Sequence, residues 1–389
     1  MFHYLLPSSR ILVFRKTPTI IYHFTFLGGK DWIQTNQDAV MGIDYKPAEI
    51  KGVPSNPALT CLPNAMNVAH ERYLSRFSTS DEIEKVILFL VQEGETNTVD
   101  QRMLEFKLWE THEVPVVRMS LSRLHSQMQI DDKTGALYIL PDTSADGELG
   151  LVPKKCEVSL VYFRAGYAPT DYPDGYDGIE WQARELLERS RATKCPSLGY
   201  HLAGTKKVQQ ELARPKVLER FFDEVNDKNA IEGMRNVFAG LYSLGEDAED
   251  VDLDAVTSVL KGSQGQFVLK PQREGGGYNY YGDDLAAMIK KNIVVRDNKP
   301  VLGKDLAEFI LMERLFPPKQ RAVLLRAGVV EGTGDSISEF GCFGTIVQGF
   351  DGEPLHNEYG GFLLRTKFEN VDEGGVASGF ATLSSPFLC

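Results

Sequence analysis

Residues 267–282 combine a lysine, a carboxylate and three consecutive glycines in one short run. The apolar residues before Lys270 predict a buried strand, and Pro271 ends it because proline has no N–H for the ladder. The glycines at 275–277 lack Cβ atoms, so their backbone N–H groups can approach a polyphosphate that Lys270 meets as a point charge. Glu274 is placed to hold the magnesium ion that accompanies such a phosphate. The run predicts a phosphate-handling loop, and the alternative is a glycine-rich hairpin turn with surface charges.

Further cations and acids lie next to glycines elsewhere in the chain. ATP with magnesium requires this mixture, because cations offset phosphate charge, acids hold the metal or the ribose, and glycine loops exclude water. A second glycine-rich loop, residues 372–379, follows one pair of these cations. Each charge taken alone is typical of a solvated surface residue. The cations are Lys206, Lys270, Lys367, Arg164, Arg273 and Arg365, and the acids are Glu274, Glu313 and Glu339.

Composition favours a soluble protein that acts on small molecules. The 389 residues are 42% hydrophobic and 25% charged, which allows two cores or one core with a sizeable insertion. A net charge of -12 argues against a nucleic-acid-binding surface. The five scattered cysteines have no CxxC spacing, so they indicate neither a disulfide framework nor a zinc site, and a reducing, cytoplasmic location fits.

The chain shows no membrane-spanning pattern, since no apolar run reaches the roughly 18 residues that a span requires. Residues 1–30 contain no acid. This bias is compatible with a transit peptide, with an N-terminal strand pair, or with sequence foreign to the functional protein.

Strand and helix patterns alternate between Val86 and His201. Apolar runs at Val86–Val91 and Val158–Phe163 predict buried strands, and the polar loop 92–97 follows the first of them. The alternation predicts a small parallel α/β domain. Before it, the helical spacing from Pro54 to Phe77 predicts a helix that packs on this sheet.

The second half of the chain predicts an antiparallel body. Val323–Val330 and Ser336–Gln348 have the pattern of antiparallel partners, and Phe309–Leu315 has that of a strand lining an adenine pocket. Residues 246–254 are strongly acidic and predict a solvated connector.

Five segments, in one order, resemble the motifs of eukaryotic glutathione synthetase, an ATP-grasp ligase family. They are residues 97–102, 161–167, 202–212, 270–282 and 363–367, and the resemblance covers about Pro54 to the C-terminus. It implies an α/β fold with an α+β ATP-grasp body formed by residues 54–84 and 202–389, which carries the glycine-rich lid loops. A parallel α/β substrate-binding domain, residues 85–201, is inserted into that body, and residues 1–53 stay unmatched.

The same resemblance assigns roles to positions of this sequence. Glu274 is the implied magnesium ligand. Lys270 and Arg365 are the implied catalytic residues, since a cation at 365 would stabilise the charge that develops on an acyl centre. The implied ATP-binding residues are Lys206, Lys270, Gly275, Gly276, Gly277, Asn279, Tyr281, Met312, Glu313, Arg314, Leu315, Glu339, Lys367 and Glu373. The implied γ-glutamylcysteine-binding residues are Glu95, Thr96, Asn97, Gln101, Arg164, Ala165, Gly166, Tyr167, Arg365, Val376 and Ala377.

The implied reaction is ATP-dependent ligation of γ-glutamylcysteine and glycine to glutathione. ATP would phosphorylate the cysteinyl carboxylate, and the glycine amine would then attack the acyl phosphate, with ADP and phosphate as the other products. Two glycine-hinged loops suit this reaction because the intermediate must be kept dry. The family is homodimeric, so a homodimer that uses neither nucleic acid nor a membrane is the expected state.

Some positions depart from the family pattern. Arg314 stands where a lysine is usual, and Tyr278 stands where an asparagine is usual. The family's N-terminal magnesium and substrate ligands have no counterpart in residues 1–53, which suggests a truncated, misassembled or diverged chain. Two alternatives to the ligase stay open. One is a non-catalytic homologue that binds nucleotide or γ-glutamyl peptide, and the other is a ligase for another amine such as β-alanine.

Overall fold

The computed structural model describes residues 54–77, 82–95, 97–141, 152, 154–223, 227–272, 278–296, 299–326, 328–349, 354–376 and 379–386. The helices are α1 (Ala58–Arg76), α2 (Val99–His112), α3 (Leu121–Gln127), α4 (Ile179–Arg189), α5 (Leu198–Ala203), α6 (Lys206–Ala213), α7 (Lys228–Arg235), α8 (Asp250–Ser258) and α9 (Gly282–Lys291). The strands are β1 (Glu84–Leu90), β2 (Val116–Met119), β3 (Met128–Ile130), β4 (Leu137–Ile139), β5 (Cys156–Phe163), β6 (Thr193–Cys195), β7 (Leu241–Ser243), β8 (Phe267–Pro271), β9 (Tyr280–Tyr281), β10 (Ile293–Arg296), β11 (Lys299–Leu302), β12 (Phe309–Glu313), β13 (Gln320–Arg326), β14 (Val329–Gln348), β15 (Pro354–Phe368) and β16 (Thr382–Ser384). This mixture confirms the α/β class. Within the described ranges, every helix is too short or too polar to cross a membrane.

The first sheet contains the predicted parallel strands. Its order is β2-β1-β5-β4-β3, with β6 beside β5. Strand β1 pairs in parallel with β2 and β5, whereas β3 and β4 add an antiparallel edge. All eight residues of β5 are buried because apolar cores cover both faces of the sheet. Leu90 pairs with Phe163, so the carboxyl ends of β1 and β5 lie side by side.

Helix α1 packs on this sheet, as its spacing predicted. Met66 lies in one core with Phe89 and Leu160, and Val347 of β14 packs against the same core. The helix therefore lies between the first sheet and the long C-terminal strands. Only the first sheet is close to it in sequence.

A second sheet, β7-β12-β8-β9, is antiparallel and carries the strand that leads into the glycine run. Helices α8 and α9 pack on it through apolar side chains such as Val256 and Leu285, which share a core with Leu269 and Leu311. Strands β10 and β11 form a separate antiparallel hairpin.

The prediction of a solvated connector at residues 246–254 is wrong, because helix α8 begins within this segment. Asp252 is buried, and its carboxylate accepts the backbone N–H groups of Ser243 at 2.9 Å and Glu249 at 2.8 Å. Acids in the first turn also favour a helix, because they face the positive end of its dipole.

The third large sheet has the order β13-β14-β15-β16 and is antiparallel. Strands β14 and β15 are 20 and 15 residues long and pair along most of their length. The expected strand Val323–Val330 instead spans the turn from β13 to β14, where Gly328 has a φ of +80°. The predicted pairing with Ser336–Gln348 is wrong as well, because β13 pairs with residues 329–336 across this turn, and Ser336–Gln348 pair with β15.

Candidate active site

Lys270 lies at the end of β8, one residue before the proline that closes the strand. It pairs with Ile310 of β12 and is half-buried. The next strand pairs place Met312 opposite Val268 and Glu313 opposite Phe267, so the predicted adenine-side residues run along the neighbouring strand. The glycine run itself, with Arg273, Glu274, Gly275, Gly276 and Gly277, lies outside the described residues.

Glu313 ties β12 to the segment before β7. Its backbone N–H donates to the carbonyl of Gly240 at 2.8 Å, and its Oε2 accepts the Gly240 N–H at 2.8 Å. Leu315, two residues on, is 49% exposed, so it offers an apolar side chain at the surface of this strand end. Lys206 opens helix α6 and is half-buried there.

The segment Asp372–Glu373 contacts predicted ATP-binding residues that lie in β15, just after β12 and just before β9. Asn279 Nδ2 donates to Glu373 Oε1 at 2.8 Å. Arg314 Nη2 lies 2.6 Å from Asp372 Oδ1, and Lys367 Nζ donates to the Asp372 carbonyl at 2.7 Å. Residues separated by up to 94 positions therefore meet at one place.

Tyr281 completes this group. Its hydroxyl lies 3.5 Å from the Asp372 carbonyl and 3.5 Å from Asn279 Nδ2, and its ring lies 5.4 Å from the Arg314 guanidinium. Asp372 itself was not predicted as a site residue. Its position at the start of the second glycine loop is the sequence feature that could have indicated it.

Arg365 and Glu339 face each other across β14 and β15, at 2.7 Å between Nη2 and Oε2. Because side chains alternate along a strand, Arg365 and Lys367 lie on the same face. Glu339 Oε2 also lies 3.5 Å from where a Cβ on Gly374 would be, so the pair borders the second glycine loop. In that loop the Val376 carbonyl accepts the N–H of Gly379 at 3.0 Å, and Ala377 lies outside the described residues.

A second cluster lies where β1 and β5 end. Glu95 accepts the Asn97 N–H at 2.7 Å and the Gln101 side-chain amide at 3.0 Å, and Gln101 also donates to the Asn97 carbonyl at 2.9 Å. Gln101 is completely buried. Thr96 lies outside the described residues. The structure thus brings together Glu95, Asn97 and Gln101, which were assigned to one substrate.

Arg118 of β2 was not predicted from the sequence. Its Nη2 donates to Gln101 Oε1 at 2.7 Å, which fixes the orientation of the Gln101 amide so that its NH₂ group faces Glu95. Burial lowers the pKa of Arg118. No local pattern marks this residue, because it comes from a strand that only the fold places beside α2.

Arg164 follows β5 and is buried, with Asp100 Oδ2 at 3.0 Å from its Nη2. Burial raises the pKa of the Asp100 carboxyl to about 6, against the opposing effect of the Arg164 charge. The pair holds the first residue of the 164–167 loop against helix α2.

The loop after Arg164 runs through Ala165 and Gly166 to Tyr167. Ala165 and Gly166 are buried, and Tyr167 is half-buried. Asp171 Oδ2 accepts the N–H groups of Gly166 at 2.9 Å and Tyr167 at 3.1 Å. Asp171 was not predicted either, because its partners are backbone groups that the sequence does not display.

Comparison with known proteins identifies the family. A family model described as the ATP-binding domain of eukaryotic glutathione synthase matches residues 31–388. The chain belongs to this family. The match includes residues 31–53, for which the sequence motifs gave no counterpart.

Curated relatives agree with this family. The chain is 36% identical over 336 residues to glutathione synthetase of Dictyostelium discoideum, covering 86% of this chain and 63% of that protein. It is 40% identical to the chloroplastic glutathione synthetase of Solanum lycopersicum, over 86% of this chain and 55% of that protein. It is 37% identical to the Homo sapiens glutathione synthetase, over 78% of this chain and 56% of that protein. The chain thus spans between about half and two thirds of the length of these family members.

A solved structure supports the fold. The apoform of a glutathione synthetase-like effector from Globodera pallida superimposes with a TM-score of 0.58 at 18% identity, covering 92% of this chain and 66% of that one. At this identity the likeness concerns the fold of the family alone.

Proposed function

We propose that this chain catalyses the ATP-dependent ligation of γ-glutamylcysteine and glycine to glutathione. The observation that carries the proposal is the assembly of two predicted residue sets, each at one place. Asn279, Tyr281, Arg314, Lys367 and Glu373 gather around one loop, and Glu95, Asn97 and Gln101 gather at the carboxyl ends of β1 and β5. Family membership supports ATP as the co-substrate.

The cations would act at two points of the reaction. Lys270 and Lys367 would offset the negative charge of the transferred phosphate, because cations held in place stabilise charge as it develops. Arg365 would stabilise the acyl centre during phosphorylation of the cysteinyl carboxylate and attack by the glycine amine. Glu339 holds the Arg365 guanidinium in position at 2.7 Å.

Magnesium enters this proposal as the ion that accompanies ATP. Carboxylate oxygens are the ligands that it prefers, and among the described residues no three His, Cys, Asp or Glu side chains lie close enough together to hold an ion. Glu274 remains the predicted ligand. The bound ion would neutralise phosphate charge.

A homodimer in the cytoplasm is part of the proposal. Helix α2 exposes Val99, Phe106 and Trp109 at 50, 54 and 59%, and these apolar side chains offer surface for a second copy. The four described cysteines are free, which suits a reducing compartment. Light scattering of the purified chain tests the dimer, and a monomer at micromolar concentration would contradict it.

The test of activity is an assay with γ-glutamylcysteine, glycine, ATP and magnesium in which glutathione and ADP are measured together. We expect equal amounts of both products, loss of both in Lys270→Ala, and retention in Lys261→Ala, which removes an exposed lysine. ATP binding without glutathione would favour the non-catalytic homologue. Product with β-alanine alone would favour the other ligase.

A further inference from the structure

Asp171 joins the two loops that carry the proposed γ-glutamylcysteine site. Its Oδ2 accepts three consecutive backbone N–H groups, from Gly166 at 2.9 Å, Tyr167 at 3.1 Å and Ala168 at 3.0 Å. Its Oδ1 accepts the side-chain amide of Gln92 at 3.2 Å. Gln92 belongs to the loop that continues to Glu95, so one carboxylate connects residues 92 and 166–168.

The loop is held from its other side as well. The Gly166 carbonyl accepts the Tyr172 hydroxyl at 3.0 Å and Arg184 Nη1 at 3.1 Å. Gly166 has a φ of +88°, and a Cβ there would lie 3.1 Å from both of these atoms. The backbone at Gly166 is therefore fixed by partners on its N–H and on its carbonyl, and it has no room to shift toward either.

The carboxylate is the stronger of these two anchors. Hydrogen bonds with an ionised partner are about twice as strong as neutral ones. Asp171 accepts three of them on a single oxygen, whereas the Arg184 guanidinium donates one to the Gly166 carbonyl. Without it, three neighbouring N–H groups would lose their partner in a half-buried loop, which favours another loop conformation. A displacement of about 1 Å at a substrate-positioning loop is enough to lower the rate substantially.

We propose that Asp171 is a positioning residue for γ-glutamylcysteine. It acts through the 164–168 loop, which orients Arg164 and Tyr167, and through Gln92, which holds the 92–97 loop against it. ATP binds at the other cluster, so Asp171 should affect the dipeptide and leave the nucleotide alone. This inference rests on the proposed function, because it assigns a role within the same reaction.

The experiment compares steady-state kinetics of three variants with the unmutated chain. Asp171→Ala should raise KM for γ-glutamylcysteine at least about tenfold, as expected for lost charge-assisted hydrogen bonds, with KM for ATP unchanged. Asp171→Asn keeps one oxygen acceptor for the N–H groups and should stay within about threefold. Asp174→Ala removes an exposed acid three residues away, whose side chain caps no helix, and should behave as the unmutated chain.

Hydrogen exchange of residues 164–168 supplies a readout that does not depend on turnover. We expect faster exchange in Asp171→Ala than in Asp174→Ala, with rescue in Asp171→Asn. Unchanged exchange, or a parallel rise in both KM values, would overturn the inference. If the unmutated chain makes no glutathione, the proposed function fails, and the exchange comparison still decides the role of Asp171. Should Asp171→Ala not fold, Gln92→Ala takes its place, with a smaller rise in the dipeptide KM expected.

Discussion

At the scale of single residues, the cations of the candidate site are already held by acidic partners. Arg365 pairs with Glu339, Arg314 with Asp372, and Arg164 with Asp100. Such partners fix the direction of a guanidinium before substrate arrives, and a preorganised charge costs no reorganisation during the reaction. The acids near these cations thus position them in addition to any role toward the metal.

Arg365→Lys tests this idea at the acyl centre. A lysine keeps the charge but cannot reproduce the planar fork that faces Glu339, so we expect kcat to fall about a hundredfold. The free energy of unfolding should change little, because lysine keeps a positive charge opposite Glu339. Arg321→Lys, an exposed position on β13, is the matched control. Turnover within a few-fold of normal would mean that Arg365 does not face the reacting carbonyl.

Sequence motifs indicated several polar residues of the candidate site, but not the residues that hydrogen-bond to them and hold them in position. Lys367 and Asn279 came from motifs, and the structure places both at Asp372–Glu373. Arg118 and Asp171 were missed for a physical reason. Each is defined by a partner contributed by another element, and spacing along the chain carries no information about such contacts.

At the scale of elements, the segment after β15 links two sheets. Through Asp372 it reaches Arg314 of the strand β12 end, and through Glu373 it reaches Asn279 before β9. Both partners directly flank strands of the sheet that carries Lys270. The second glycine loop is therefore fastened at its start, and further along it the Gly375 carbonyl accepts the N–H groups of Phe380 at 2.9 Å and Ala381 at 3.1 Å.

Asp372→Ala tests whether the contact between Asp372 and Arg314 affects ATP binding without affecting stability. The Arg314 and Asp372 side chains are 33 and 46% exposed, so the pair should contribute less than about 1 kcal/mol to the free energy of unfolding. Arg314 would lose the partner that fixes the direction of its guanidinium, and we expect a Kd for ATP that is a few-fold higher by calorimetry. Asp305→Ala, an exposed acid in the turn before β12, should change neither quantity. Unchanged or tighter ATP binding in Asp372→Ala would contradict this view.

His70 of helix α1 predicts that the stability of the fold depends on pH. This buried residue faces Ser159 of β5, with 2.6 Å between Nδ1 and Oγ, and burial lowers its pKa from 6.5 to about 4. The unfolded chain thus binds more protons than the native one between pH 6.5 and 4, so stability is full above 6.5 and is lost as the pH falls. The loss attributable to His70 is about 3 kcal/mol.

Urea unfolding of the unmutated chain and of His70→Asn between pH 7 and 4 measures this contribution. Other titrating groups cancel in the difference, and the unmutated chain should lose stability relative to the variant as the pH falls. Ser159→Ala keeps the buried imidazole and should keep the pH dependence, because burial is its cause. Parallel pH profiles for the unmutated chain and His70→Asn would show that His70 does not titrate in this range.

Element type was predictable where the apolar pattern is long. The buried strands β1 and β5 and helix α1 lie where periodicity placed them. Helix α8 was missed because Asp252 looks like a surface acid in the sequence. In the structure its carboxylate is buried and accepts hydrogen bonds from two backbone N–H groups. The turn at Gly328 was missed because Val and Leu residues on both sides of Arg326 and Gly328 have the composition of one strand.

At the scale of the whole molecule, the two ends of the described chain meet beside helix α1. Asn56 pairs with β15 as a neighbouring strand would: its Nδ2 donates to the Phe362 carbonyl at 2.8 Å, and its Oδ1 accepts the Phe362 N–H at 3.2 Å. The same Oδ1 accepts the Ala58 N–H at 3.2 Å, at the start of α1. One amide thus joins residues 306 positions apart.

Gly361→Ala tests whether this junction stabilises the fold. Gly361 has a φ of +104°, and a Cβ there would lie 2.6 Å from Asn56 Oδ1 and 2.8 Å from the Ala58 Cα. Backbone atoms cannot yield as a side-chain end can, so we expect a loss of at least about 2 kcal/mol in the free energy of unfolding. Gly341→Ala on the paired strand is the control, because its Cβ would meet only a carbonyl at 3.8 Å. Equal urea midpoints for the two variants would show that helix α1 is not clamped through residues 56–58, and that its packing against the first sheet alone holds it in place.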